Sequence, residues 1–212
     1  MKKGFTLLEV LIAMFILVIV FGLVTFLYVK AASIRKIVVA NSEIQQTLSQ
    51  MMDTIIHGKK SEWGLTDATT VRSITDSSSS ETCISQYTLV AYNETRNETM
   101  VVRIANEEEL KGSGDTIKTL WVNWYNSPSP PASNSFYTDE ALIDINKKIE
   151  LTSNSCFDYY DSKGRNILDE GLNTETTLVK ITLEAKSNEP ALSEKAPVTL
   201  KTAIRLRNAL PF

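Results

Sequence analysis

From Val10 to Val29 the chain carries no charged residue. As a helix, roughly 20 residues rise about 30 Å, the thickness of a bilayer's hydrocarbon core. Beyond Lys30 the pattern becomes amphipathic. Ile34, Ile37, Val38, Ile44, Leu48, Met51, Met52, Ile55 and Ile56 recur mostly at three- and four-residue spacings, interrupted by Asn41. Arg35, Lys36, Ser42, Glu43, Gln45, Gln46 and Asp53 fill the positions between them. Such a stripe marks one buried helix face. The pattern therefore predicts a single helix from Phe5 to His57, roughly 80 Å long, with its outer half packed on a globular domain. Gly58 is the expected terminator, and His57, Lys59 and Lys60 suit the negative end of the helix dipole. Gly22 is the one helix breaker inside the span.

After Gly58 the periodicity changes. Residues 58 to 83 are rich in Thr, Ser and Asp and read as a connection. Tyr87 to Tyr92 and Met100 to Ile104 are β-prone runs joined by a polar turn, a hairpin-like pair. Asn93 and Asn97 each open an Asn-Glu-Thr sequon within that turn, and a plain polar turn is the expectation. Ile117 to Tyr125 predicts a further strand. Ser127 to Ser133 holds three prolines and must be a loop, because proline cannot sit in a central strand. Residues 141 to 151 fit a strand or a short helix. Phe157 to Leu168 reads as a strand, a glycine-containing turn and a return. Leu178 to Ala185 and Val198 to Leu206 alternate polar and apolar, as a terminal antiparallel hairpin would. The expected fold class is α+β: a long N-terminal helix packed on an antiparallel β-sheet.

Composition narrows the chemistry. A single His and two Cys cannot make a four-ligand zinc site. A net charge of −3 argues against nucleic acid as a partner. There is no nucleophile elbow, phosphate loop or acid–base constellation, so no enzyme activity and no cofactor are expected.

The N-terminus carries the strongest signal. Lys2-Lys3-Gly4, then Phe5-Thr6-Leu7-Leu8-Glu9, then an unbroken apolar span, resembles the signature of type IV pilins and type II secretion pseudopilins. The resemblance implies that a prepilin peptidase cuts between Gly4 and Phe5 and methylates the new amino group of Phe5. It also implies that Glu9 pairs with such an amino group of a neighbouring subunit during assembly. A carboxylate at the edge of an apolar span costs ~2–3 kcal/mol, which a cationic partner in low dielectric offsets. Lys2 and Lys3 favour an N-terminus in the cytoplasm. The implied organisation is a leader at 1–4, a transmembrane helix at 5–29, an amphipathic continuation at 30–57 and an extracytoplasmic β-rich domain at 58–212.

The Tyr159-Tyr160-Asp161 turn and the ending Ala203 to Asn208 are similar to the J-type pseudopilin and W-type minor pilin group. The implied function is that of a minor subunit that starts or caps a type II secretion pseudopilus or type IV pilus in the inner membrane, with other pilins as partners. A major filament-forming pilin and an uncleaved anchor bearing a periplasmic binding module are the alternatives. In an oxidising compartment Cys83 and Cys156 are candidates for a disulfide, which would contribute roughly 4 kcal/mol; two buried thiols is the other reading. Asp158, Asp161 and Asp169 invite a calcium reading, but Lys163 interrupts them and a simple turn is expected.

Overall fold

The computed structural model describes residues 6–59, 62–73, 87–106, 117–127, 140–141, 149–167, 176–189 and 196–206. The helix α1 runs unbroken from Leu7 to His57, straight through Gly22. It ends as its sequence prescribes. The Gly58 N–H donates to the Thr54 carbonyl at 2.9 Å, and Gly58 takes φ +82°, where a side chain is strained. A Cβ on Gly58 would also run into the Glu62 carbonyl, so the chain reverses tightly there.

The chain divides into two compact units, Met1–Ser42 and Glu43–Phe212. In the first, the described residues from Leu7 onward are helix alone and its apolar side chains are exposed, apart from the half-buried Ile37 and Ala40. In the second, the end of α1 joins a packed core. Ile44, Leu48, Met51, Met52 and Ile55 are buried, Leu48 completely. Each such side chain contributes roughly 1.5–3 kcal/mol on removal from water. The expectation that the whole stripe is core therefore holds only from Ile44 onward. Ile34 and Val38 remain 59% and 60% exposed.

The β portion forms two antiparallel sheets. The N-terminal sheet is a meander of β1 (Thr70–Ser73), β2 (Thr88–Asn93), β3 (Glu98–Ala105), β4 (Thr119–Tyr125) and β5 (Glu140–Ala141), adjacent in that order. Register follows from alternation. Leu89, Val102 and Val122 stand opposite one another and enter the main core, whereas Val90 and Val101 pair on the other face. The turn from β2 to β3 is polar, as expected. Asn93 accepts from the Arg96 N–H and donates to the Asp67 carbonyl, and Asn97 takes a positive φ of 56°.

The C-terminal sheet centres on β8 (Leu178–Ser187). Along one edge β8 pairs β6 (Ile149–Leu151) and then β7 (Cys156–Tyr160); along the other it pairs β9 (Val198–Arg205). The stretch that fits strand or short helix from sequence is strand at both of its described ends, β5 and β6. Val179, Ile181, Leu183 and Ala185 face inward with Phe157 and Tyr159. Lys180 and Lys186 face outward toward Asp158 and Glu150, at 3.8 and 3.6 Å.

The sheets and the end of α1 share one hydrophobic cluster, into which Trp63 and Leu65 also pack. Two polar contacts, one buried and one partly buried, tie its parts. The Tyr159 hydroxyl donates to the Thr88 carbonyl across the sheets at 3.0 Å, and Trp124 Nε1 donates to the Trp63 carbonyl at 2.9 Å. Burial, with Asp158 nearby, pushes the Tyr159 phenol far above its ordinary value, so it stays a neutral donor.

Candidate processing and assembly site

Thr6 and Glu9 build the first turn of α1. The Glu9 N–H donates to Thr6 Oγ1 at 3.3 Å. In return, the Thr6 N–H and hydroxyl both donate to Glu9 Oε2 at 3.2 Å. This reciprocal arrangement is a capping box, which satisfies two of the helix's orphan donors. It also places a carboxylate at the positive end of the helix dipole. Glu9 thus has a structural role within its own chain, besides any role toward a neighbour. Its Oε1 carries no bond among the described residues, so one oxygen is left for a second donor. The pattern Thr6-x-x-Glu9 before an apolar run is a readable capping signal; treating Glu9 only as an isolated charge overlooks it.

Above this turn the span up to Leu27 presents one side-chain hydroxyl, that of Thr25, and Tyr28 stands exposed at its far end. Thr25 folds its hydroxyl onto the Phe21 carbonyl at 2.8 Å. Leu7 to Val29 otherwise expose large apolar side chains on every side, including Phe15, Phe21 and Phe26. By length and composition α1 is able to cross a membrane. A helix apolar all round needs an apolar environment, which the first unit itself does not supply.

Residues 1–25 match the family model described as the prokaryotic N-terminal methylation motif. That match supports a pilin-like protein with a prepilin-type leader and a membrane-anchoring helix. Neither a curated protein nor a solved structure matches the chain.

The other sites expected from sequence fall elsewhere. Gly4, Phe5, Cys83 and Asp169 lie outside the described residues. Cys156 is buried at the start of β7. The acidic pair of the calcium reading is committed to other partners. Asp161 Oδ1 accepts the N–H groups of Lys163 and Arg165, at 2.8 and 2.9 Å, and Oδ2 takes Arg165 Nε and Nη2 at 2.9 and 2.8 Å. These donors, led by the Arg165 N–H, hold the Asp161 carboxyl below its ordinary value. Asp158 faces Lys180. Asp161 is the clasp of the turn after β7, and Gly164 at φ +76° completes it.

One polar cluster has no counterpart in the sequence reading. Between β6 and β7 the ladder to β8 is interrupted, and Ser155 takes its place: its hydroxyl donates to the Glu184 carbonyl and accepts the Glu184 N–H, both at 2.9 Å. The Glu184 carboxylate gathers Thr152, Asn154 and Thr199 at 2.6, 2.8 and 3.1 Å. Burial would raise its pKa, but these three donors and the nearby Lys201 charge outweigh it and leave the group below its ordinary value. Glu184 is a fastener across the sheet, joining the β6–β7 link to β9.

Proposed function

We propose that this chain is a minor pilin or pseudopilin, a structural subunit that starts or caps a type II secretion pseudopilus or a type IV pilus. The observation that carries the reading is the methylation motif running directly into a span whose apolar side chains are all exposed. Such a surface buries equally well in lipid or against other subunits, so one helix serves for storage and for assembly. In this reading Lys2 and Lys3 keep the N-terminus in the cytoplasm, and the β-rich domain lies outside. A prepilin peptidase cuts after Gly4 and methylates Phe5. The freed ammonium of one subunit then meets Glu9 Oε1 of the next, while Oε2 stays with Thr6. The assignment to a minor rather than a major subunit rests on the likeness of the terminal strands to the J-type and W-type group. A Cys83–Cys156 bridge belongs to the same extracytoplasmic placement.

The test is the intact mass of the membrane-extracted protein, with and without a co-expressed prepilin peptidase. Loss of Met1 to Gly4 together with gain of one methyl group is the expected result, and Gly4→Val abolishes it. An unchanged mass in the presence of active peptidase overturns the reading in favour of a plain anchor. Glu9→Val is expected to leave cleavage intact and impair incorporation into filaments.

A further inference from the structure

Between Glu9 and Glu43 the chain has no acidic residue, yet it has three cations: Lys30, Arg35 and Lys36. All three lie in the continuous helix and are exposed, immediately after the charge-free span. At about 100° per residue they project at about 0°, 140° and 240° around the axis, within a rise of about 9 Å. They form a collar that encircles the helix. Helical side chains lean toward the N-terminus, so these cations lean back toward the end of the span. Lys30 does so visibly, with Nζ 5.8 Å from the centre of the Phe26 ring. Tyr28, an aromatic suited to the membrane–water boundary, sits at the same level. Among the described residues no carboxylate forms an ion pair with any of the three.

A partner protein approaches a helix from one side and would select cations on one face. Charges spread evenly round the axis suit a partner that surrounds it. We propose that Lys30, Arg35 and Lys36 form a collar that binds the phosphate groups of anionic phospholipids in the leaflet where the span ends. The proposal rests on the membrane reading of the span, and is independent of which way the helix crosses and of the minor-subunit assignment. Positive charge flanking the far end of a span runs against the usual bias of one-sided Lys and Arg. A ring of anionic headgroups compensates for it. Attraction of about 1 kcal/mol per Lys or Arg near an anionic surface is about fivefold in association.

The test places the full chain, with Lys2→Gln and Lys3→Gln throughout so that the collar alone varies, in phosphatidylcholine vesicles doped with spin-labelled phosphatidylglycerol or spin-labelled phosphatidylcholine. The expected result is a preference of about fivefold or more for phosphatidylglycerol among the motionally restricted lipids. The preference falls toward one in Lys30→Gln/Arg35→Gln/Lys36→Gln and in 1 M salt, where screening acts within about 3 Å. Each single variant falls between. Equal restriction of both labels overturns the collar, as does a preference that the triple variant retains. Loss of chain–chain association in the triple variant without any lipid preference also overturns it, and assigns the cations to carboxylates of another protein. Absence of a restricted population for either label refutes the membrane reading itself, a result distinct from the others.

Discussion

One helix contains two regimes. Residues 7–42 and 43–57 share the same helical backbone and a similar supply of Leu, Ile, Val and Met, yet their apolar side chains have opposite fates. The second stretch buries its face on the sheets and draws its stability from this chain. The first buries nothing among the described residues and depends on what surrounds it. Hydrophobic spacing identifies a face that must be covered; it does not say by what.

The sharpest way to break this comparison is a matched pair of truncations. Leu48→Ala should cost the second unit about 3 kcal/mol, since a completely buried leucine leaves a cavity. Leu17→Ala should cost it less than about 0.5 kcal/mol, because Leu17 is 67% exposed and packs on nothing there. Denaturant unfolding of the full chain in detergent, followed by tryptophan fluorescence, reads both. Equal losses would mean that the two stretches are not energetically separate. A smaller effect tests whether the sheets act as one body. Tyr159→Phe should cost about 1–2 kcal/mol, because it orphans the buried Thr88 carbonyl, and an unchanged midpoint would show that the cross-sheet bond contributes nothing. The smallest effect concerns acid. Glu184 has a folded pKa below its ordinary value of 4.5, so its contribution is complete above that value and is lost as pH falls through the lowered one. Glu184→Gln should flatten the part of the stability–pH curve that Glu184 contributes, leaving the contribution of Asp161, whose carboxyl is also held below its ordinary value. A curve of unchanged shape would exclude Glu184 as a fastener of the C-terminal sheet.

Much of the fold is legible in the sequence for identifiable reasons. Gly58 ends the helix because only glycine takes its positive φ without strain, and Val179 to Ala185 declares its two faces by alternating apolar and polar residues. The antiparallel α+β class follows from these signals. Other features depend on tertiary placement. Ile34 and Ile44 obey the same periodicity, and only the position of the globular core separates exposed from buried. Strand β1 is four residues long within a polar connection, too short for alternation to announce it. Within the C-terminal sheet, the Ser155 hydroxyl bonds the Glu184 backbone in the gap between β6 and β7, a substitution that no local pattern encodes. At the candidate site, the Gly4–Phe5–Glu9 signature is readable because its residues lie within one short stretch of chain. The capping role of Glu9 is equally local, in the spacing from Thr6. The collar becomes apparent only when three cations are placed on a helical wheel.

The central position of β8 sets an order in time. A chain made from its N-terminus can close the β2–β3–β4 meander once Tyr125 has emerged, because those contacts lie between neighbours in sequence. The C-terminal sheet must wait longer. Until Val198 to Arg205 has followed, β8 has a bare edge with Val179, Ile181 and Leu183 unsealed beside it. For that interval the nascent domain exposes a sticky strand. A chain already tethered by its first helix would pass through this vulnerable stage at the membrane surface, spaced apart from copies of itself.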